Sequence, residues 1–333
     1  MDKVGIGIIG AGYAGLMHAE AISRDERARL IAIADPSKEA IRAFSSKYSV
    51  NEYTDYHGLV DDHDVDAIFV ASPNGLHAEH ALYAVSRSKS VFSEKPMAIA
   101  LRDARGIAEE VAKRGTIYQF GLTRRFWPVY KFVKSLIERK ELVPYLADIK
   151  MARGDLSKPS WVKDTSISGG FLRESVIHVL DLSRWFLGDI VEVRCLARKS
   201  VYEQLDDFAI TTVHNGDRIA TVTSSGHASW AFPFERVELF GDHSCVMTEE
   251  SNRVLFSPGN EAEMTIKDYS QLPRLIALGF LEEDQAFISS IVNKSKPPVT
   301  EKDALSAMEI VSACYESAEK DKPVRLASTG RYD

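Results

Sequence analysis

Up to about residue 121 the chain alternates short, unbroken apolar runs with longer stretches of helical periodicity. The runs are Val4–Ile9, Leu30–Ala34, Ala67–Ala71, Ser90–Ser93 and Ile117–Phe120, and the helical stretches between them are Gly15–Ser23, Glu39–Tyr48, Leu76–Ser86 and Asp103–Lys113. A strand that is apolar at every position, not at alternate ones, is covered on both faces, so this part predicts a doubly wound α/β domain with a parallel sheet. The rhythm then changes. A helix is expected over Pro128–Lys140, a strand over Tyr145–Arg153, a loop rich in Pro, Ser and Lys around 155–168, and an apolar helix over Leu172–Leu187 that stops at Gly188. Six strand-like segments follow: Val191–Lys199, Phe208–Asn215, Ile219–His227, Arg236–Glu249, Val254–Ser257 and Met264–Asp268. Their Asn-Gly, Gly-Asp and Pro-Gly turns point to an antiparallel sheet. Helices over Phe280–Asn293 and Ala304–Glu319 close the chain. The expected division is an α/β domain over 1–122 and an α+β domain over 123–333, with the C-terminal helix able to pack back on the first.

Composition narrows the function classes. The chain has 333 residues, 45% of them hydrophobic, with 41 Lys plus Arg against 48 Asp plus Glu, a formal charge of -7. An acidic chain without a basic cluster is a poor partner for nucleic acid or an anionic membrane surface. No run approaches the roughly 18 apolar residues of a membrane span, and the opening Met-Asp-Lys-Val-Gly leads straight into a strand with no visible signal peptide. The three cysteines, Cys195, Cys245 and Cys314, are odd in number and widely spaced. They suggest neither a disulfide framework nor a metal pair, and the expected location is a reducing cytoplasm.

The first run ends in Gly10-Ala11-Gly12-Tyr13-Ala14-Gly15, a GxGxxG that opens a helix. Gly10 permits the tight turn, Gly12 lets a pyrophosphate approach the backbone, and Gly15 lets helix and strand pack closely. The helix amino end offers N–H groups and partial positive charge to phosphate. Asp35 ends the second strand, where a carboxylate can accept hydrogen bonds from the adenosine ribose and repel a 2′-phosphate. These features predict a Rossmann domain that binds NAD, with NADP as the alternative because Ser37 and Lys38 could hold a phosphate.

On the helix over Leu172–Leu187, Glu174, His178 and Asp181 fall at i, i+4 and i+7 and so share one face. An acid–imidazole–acid row on a buried helix must be paired or face a wet cleft. Spacing alone leaves open a satisfied structural network or an exposed helix edge.

Four further motifs carry a family resemblance. They are Ala71-Ser72-Pro73-Asn74-Gly75-Leu76-His77, Glu94-Lys95-Pro96, Gly121-Leu122-Thr123-Arg124-Arg125-Phe126, and Gly169-Gly170-Phe171-Leu172-Arg173-Glu174-Ser175-Val176-Ile177-His178-Val179-Leu180-Asp181. In order and spacing, across essentially the whole chain, they resemble the glucose–fructose oxidoreductase / inositol 2-dehydrogenase (Gfo/Idh/MocA) family. Two positions depart from the pattern: Glu174 stands where the family commonly has Asp, and Thr123 where it often has Asn. The resemblance implies a large, open, mainly antiparallel second sheet used in homodimer or homotetramer contacts, a bound nicotinamide cofactor, and hydride transfer at a hydroxyl or carbonyl carbon of a sugar, cyclitol or derivative.

It also implies roles. Lys95 would donate to the reacting oxygen, His178 would act as the base, and Glu174 would orient the imidazole. Pro96 restricts the backbone of Lys95, and in the family the Lys-Pro bond is often cis. Ser72, Pro73, Asn74 and His77 would lie on the cofactor side with Glu94 and Arg124, joining Gly10, Ala11, Gly12, Tyr13, Ala14 and Asp35. Arg125 and Trp161 would join Lys95, Glu174 and His178 at the substrate, Trp161 by offering an aromatic face to a sugar ring. Asp181 would more readily anchor its helix.

No metal site is expected. Asp61-Asp62-His63-Asp64 reads as a solvated loop with diverging side chains, and His77 and His80 lack further ligands. Two other functions remain: a regulator that binds dinucleotide or sugar without turnover, which would not need Lys95, Glu174 and His178 together, and an NAD-dependent non-redox sugar enzyme, with which cofactor would co-purify.

Overall fold

The computed structural model describes residues 3–327. The chain forms two compact units. One takes the chain up to Leu122 together with Phe280–Leu305, and the other takes Thr123–Gly279 together with the chain from Ser306 onward. The second is therefore not the continuous stretch 123–333 expected from sequence. The segment that returns to the first unit begins with the helix Phe280–Asn293, ahead of the last helix, Glu301–Lys320. Its reason for returning is apolar: Phe287 and Ile288 are fully buried in the core that also holds Ile6, Ile8, Ile22, Phe69 and Phe92.

In the first unit six strands, β1 (Val4–Ile9), β2 (Ala28–Ala34), β3 (Asn51–Tyr53), β4 (Ala67–Val70), β5 (Ser90–Glu94) and β6 (Tyr118–Gly121), form one sheet in the order 3-2-1-4-5-6. Every pairing is parallel. β1 and β4 are buried at every position, as their unbroken apolar runs require. β3 was not legible: Asn-Glu-Tyr is short and polar, and it pairs at the sheet edge with Ala32–Ala34. The order reverses between β1 and β4, and in such sheets the carboxyl ends at that switch point receive the ligand. The motif after β1, the loop after β4 and the Glu94-Lys95-Pro96 turn after β5 all lie at those ends.

The second unit is built on nine strands in the order 14-13-12-11-7-10-9-8-15. They are β7 (Leu146–Ala152), β8 (Ile190–Arg198), β9 (Asp207–His214), β10 (Arg218–Ser225), β11 (Glu235–Phe240), β12 (Cys245–Glu249), β13 (Arg253–Ser257), β14 (Thr265–Asp268) and β15 (Val324–Arg325). Only β7 and β10 pair in parallel. β9 and β11 alternate buried and exposed positions, the pattern of a sheet with one open face. The single strand expected over Arg236–Glu249 is two, because the chain reverses at Gly241–Ser244, where Gly241 N–H bonds Ser244 O at 2.8 Å and His243 takes a left-handed φ of 51°. The expected helix over Leu172–Leu187 is also divided: Leu172–Val176 is a wide π turn and Ile177–Leu187 is α-helical.

His214, 1% exposed on β9, is held as a neutral ring between two partners. Nδ1 donates to Gly188 O at 2.8 Å, and Nε2 accepts from Thr212 Oγ1 at 2.8 Å. Burial pulls its pKa down to about 4. The folded state therefore binds fewer protons than the unfolded chain between about pH 6.5 and 4, and stability falls as pH drops through that window. Between pH 7 and 5, His214→Asn should lose less stability than the wild type, by on the order of 1–2 kcal/mol in denaturant titrations.

Candidate active site

The turn after β1 is a glycine cradle with different tolerances at each position. A Cβ on Gly15 would sit 2.0 Å from Gly10 O, and one on Gly10, whose φ is +107°, would sit 2.5 Å from Ala71 O. Gly15 lets the first helix, Tyr13–Ile22, press backbone to backbone on the end of β1, and Gly10 lets the same turn press on the loop after β4. Gly12 differs: a Cβ there would meet nothing within 4 Å, so its missing side chain is not required by the fold. Gly12 is also the N-cap, and no side chain caps the helix. The amino end thus presents backbone N–H groups beside open space, which fits a pyrophosphate. Asp35 locks the turn. Its Oδ2 accepts from Ala11 N at 2.9 Å and its Oδ1 from Ser37 N at 2.8 Å. A carboxylate has roughly four lone-pair positions, so these bonds leave acceptor capacity for ribose hydroxyls. Tyr13 is 55% exposed and meets Phe280 edge-on.

The loop after β4 is braced from within. Ser72 Oγ bonds His80 Nδ1 at 2.9 Å, and the buried His77 places Nδ1 2.7 Å from Pro96 O and Nε2 2.7 Å from Ser72 O. A neutral imidazole carries one N–H and can donate to only one of these carbonyls at a time, and burial lowers the His77 pKa. His77 is therefore a clip between the β4 loop and the Lys95–Pro96 turn. Asn74 is buried beside it, and Pro73 is exposed. The Lys95–Pro96 bond is cis and Lys95 is half-buried. Glu94 is 8% exposed, and its carboxylate turns inward to His18 Nε2 at 3.4 Å and to Lys95 N at 3.1 Å.

In the second unit the acid–imidazole–acid row is buried, with Glu174 7%, His178 4% and Asp181 1% exposed. Both acids are matched by guanidinium groups. Arg153 Nη1 donates to Glu174 Oε2 at 2.6 Å, and Ser175 Oγ also contacts that oxygen. Arg125 grips Asp181 with two bonds, Nε to Oδ2 at 2.8 Å and Nη2 to Oδ1 at 2.6 Å. The Arg125 guanidinium is buried, and the bidentate pair anchors the helix. Arg124 reaches Glu235 Oε2 at 3.2 Å and lies over the Trp127 ring. Trp161 is half-buried on a short turn, Ser160–Lys163. Sequence reasoning missed Arg153 and His18. The only signal for His18 was a polar residue among the apolar positions of a helix whose one other charged residue is Glu20.

The acidic loop differs from its expected geometry. Ligand atoms of Asp62, His63 and Asp64 lie within 4.8 Å of one another and do not diverge. Asp62 is, however, occupied by Asn51, Tyr53 and the Asp64 N–H.

A parallel 3-2-1-4-5-6 sheet with an open glycine cradle at its switch point defines a dinucleotide-binding Rossmann unit. The family model described as oxidoreductase family, NAD-binding Rossmann fold, matches residues 4–122, and its companion, the C-terminal alpha/beta domain, matches 134–326. The chain belongs to the Gfo/Idh/MocA oxidoreductase family, and it is an NAD-dependent enzyme. It is 29% identical to an uncharacterized oxidoreductase, YrbE, of Bacillus subtilis, covering 97% of this chain and 96% of that one. It is 27% identical to the myo-inositol 2-dehydrogenase of Thermotoga maritima, covering 96% and 98%. Among solved structures, apo scyllo-inositol dehydrogenase from Lactobacillus casei superposes with a TM-score of 0.81 at 26% identity, covering 98% and 99%.

The cradle yields a test with two opposite outcomes. Gly12→Val should keep the melting temperature within about 2 °C yet weaken NADH by more than about tenfold in fluorescence titration. Gly15→Val should destabilise the fold by roughly 3 kcal/mol, through the clash with Gly10 O.

Proposed function

We propose that the enzyme oxidises a secondary hydroxyl of a cyclitol or closely related sugar ring, and reduces the corresponding ketone, with Lys95, Glu174 and His178 as its catalytic set. The observation that carries the reading is that Glu174 and His178, four residues apart behind a Gly-Gly turn, are both buried, in a chain whose Lys95 stands at a ligand-receiving strand end. Relatives named for myo- and scyllo-inositol support the substrate class.

Bound NAD supplies the acceptor for the carbinol hydrogen and its electron pair; the chain's own residues handle the oxygen and its proton. Lys95 donates a hydrogen bond to the oxygen and stabilises alkoxide character as the proton leaves. His178 accepts that proton as the general base. Glu174, fixed by Arg153 at 2.6 Å, supplies a buried negative charge one helical turn from the imidazole. Its extra methylene relative to the family's usual Asp is compensated, in this reading, by the wide turn on which it sits. Asn74 and Ser72 belong to the nicotinamide side, and Trp161 to the substrate ring.

We further assign the open face of the nine-stranded sheet to contact with a second copy, giving a homodimer or homotetramer. Phe240, Leu146 and Ile219 are cross-strand neighbours on β11, β7 and β10, and are 39%, 44% and 42% exposed. Such an apolar row is a hallmark of interface surface. The location we favour is the cytoplasm: among the described residues the cysteines are all free, and no helix is long and apolar enough to cross a membrane.

The test is formation of NADH absorbance with NAD and a panel of inositols, hexoses and pentoses. Lys95→Met should lower kcat by about 100-fold or more with NADH affinity within about threefold of wild type. Wild-type kcat in Lys95→Met overturns the assignment, and failure of every polyol in an enzyme that binds NADH overturns the substrate class.

A further inference from the structure

His18 lies midway along the first helix, with its side chain wholly buried. The rings of Phe69, Phe92 and Phe280 surround it at centroid distances of 5.1, 4.8 and 5.2 Å. A polar group walled in by aromatic rings is tolerated only when its hydrogen bonds are made, and both nitrogens are served. Nδ1 is 2.9 and 3.0 Å from the two oxygens of Asp284, and Nε2 is 3.4 Å from Glu94 Oε1. A carboxylate on each side calls for an N–H on each side, so the ring is an imidazolium. Burial opposes that charge, but Asp284 and Glu94 outweigh it and hold the His18 pKa up at about 10. Burial pushes Asp284 up to about 6 against the pull of His18. Burial works the same way on Glu94, but His18 and Lys95 keep it below its ordinary value. The charged groups facing His18 are thus Asp284 from the helix Phe280–Asn293 and Glu94 from β5; β4 and β5 otherwise contribute phenylalanine.

The far side of Glu94 completes the chain of contacts. Its Oε2 accepts the backbone N–H of Lys95 at 3.1 Å. A Cβ on Gly121 of β6 would come within 3.3 Å of the same oxygen, so a side chain there would crowd it.

We propose that His18 is a positioning residue for the catalytic turn: a carboxylate–imidazole–carboxylate bridge runs from Asp284 through His18 to Glu94, and Glu94 fixes the backbone from which the Lys95 ammonium projects. The inference rests on Lys95 being the group that meets the reacting oxygen. Two consequences follow from the chemistry. The middle group of the bridge, His18, sits on the helix Tyr13–Ile22, whose amino end is the glycine cradle, so the bridge ties the placement of Lys95 to the helix that receives the dinucleotide. It also supplies Glu94 with a cation other than its neighbour. Without His18 the nearest positive charge for that buried carboxylate is the ammonium of Lys95, and an ion pair between them would divert the lysine from substrate.

Amide hydrogen exchange on the cofactor-free protein is the first test. In Asp284→Asn, which keeps shape and one hydrogen bond, the Lys95 amide should exchange about tenfold faster or more, while amides of β1 keep their wild-type rates. Kinetics are the second. Asp284→Asn and His18→Gln should each lower kcat by about tenfold, with KM for the polyol and NADH affinity within about threefold of wild type. Glu94→Gln, which retains the acceptor for the Lys95 N–H, should keep more activity than Glu94→Ala. Unchanged Lys95 exchange in Asp284→Asn overturns the proposal, as does a lowered melting temperature with unchanged kcat in the folded variants. If wild-type enzyme turns over no polyol, the proposed substrate fails, while the exchange measurement still decides the bridge.

Discussion

The contact on which the rest depends is the meeting of two backbones, β1 and the helix that follows it, at Gly10 and Gly15. With only 2.0 Å between Gly10 O and the position of a Cβ on Gly15, no side chain can stand between them. That closeness aims the uncapped helix amino end past the strand end, and the open space at Gly12 then lies in front of it. Asp35, one strand over, ties the same turn through Ala11 N and so couples the cradle to β2. The anion-binding character is a property of this backbone arrangement. It needs no positively charged side chain, which is how an acidic chain can hold a pyrophosphate.

Much of this was legible from sequence because glycine and unbroken apolar runs report backbone constraints directly. The β1 turn, the parallel sheet and the broad two-part division can each be read in this way. What was not legible depends on partners distant in sequence. His18 meets Asp284 across 266 positions and Arg125 meets Asp181 across 56, and no local pattern announces either. Arg125 read as a free cation beside a motif, and only the buried two-bond geometry reveals an anchor. The clip made by His77 was hidden for a related reason: its partners are carbonyl oxygens, which every residue carries and no sequence displays. The turn at Gly241–Ser244 was missed because the apolar alternation continues on both sides of it.

Four buried acids, Glu94, Asp284, Glu174 and Asp181, are handled in the same way in both units, each meeting a cation from a different segment. Such pairs are weak evidence of stability, since desolvation offsets most of the attraction. Their value lies in direction: two-point contacts such as Arg125 to Asp181 fix the rotation of a helix as well as its place. In the first unit the same logic uses an imidazolium, because a ring with two opposed nitrogens can join two carboxylates that are not adjacent to each other.

The wide turn at Leu172–Val176 gives this logic its sharpest form. In a regular α-helix, residues four apart overshoot a full turn, so Glu174 and His178 would be offset around the axis. A π turn uses more residues per turn and reduces that overshoot, bringing the two toward alignment, while Asp181 lies beyond it in regular α-helix. The two acids are then claimed by different arginines, Glu174 by Arg153 and Asp181 by Arg125. One end of the row is an acid held by Arg153 and Ser175, and the other is fastened to the body of the unit by Arg125. A single helical segment thereby carries both the buried imidazole of His178 and the fixture that keeps it from rotating.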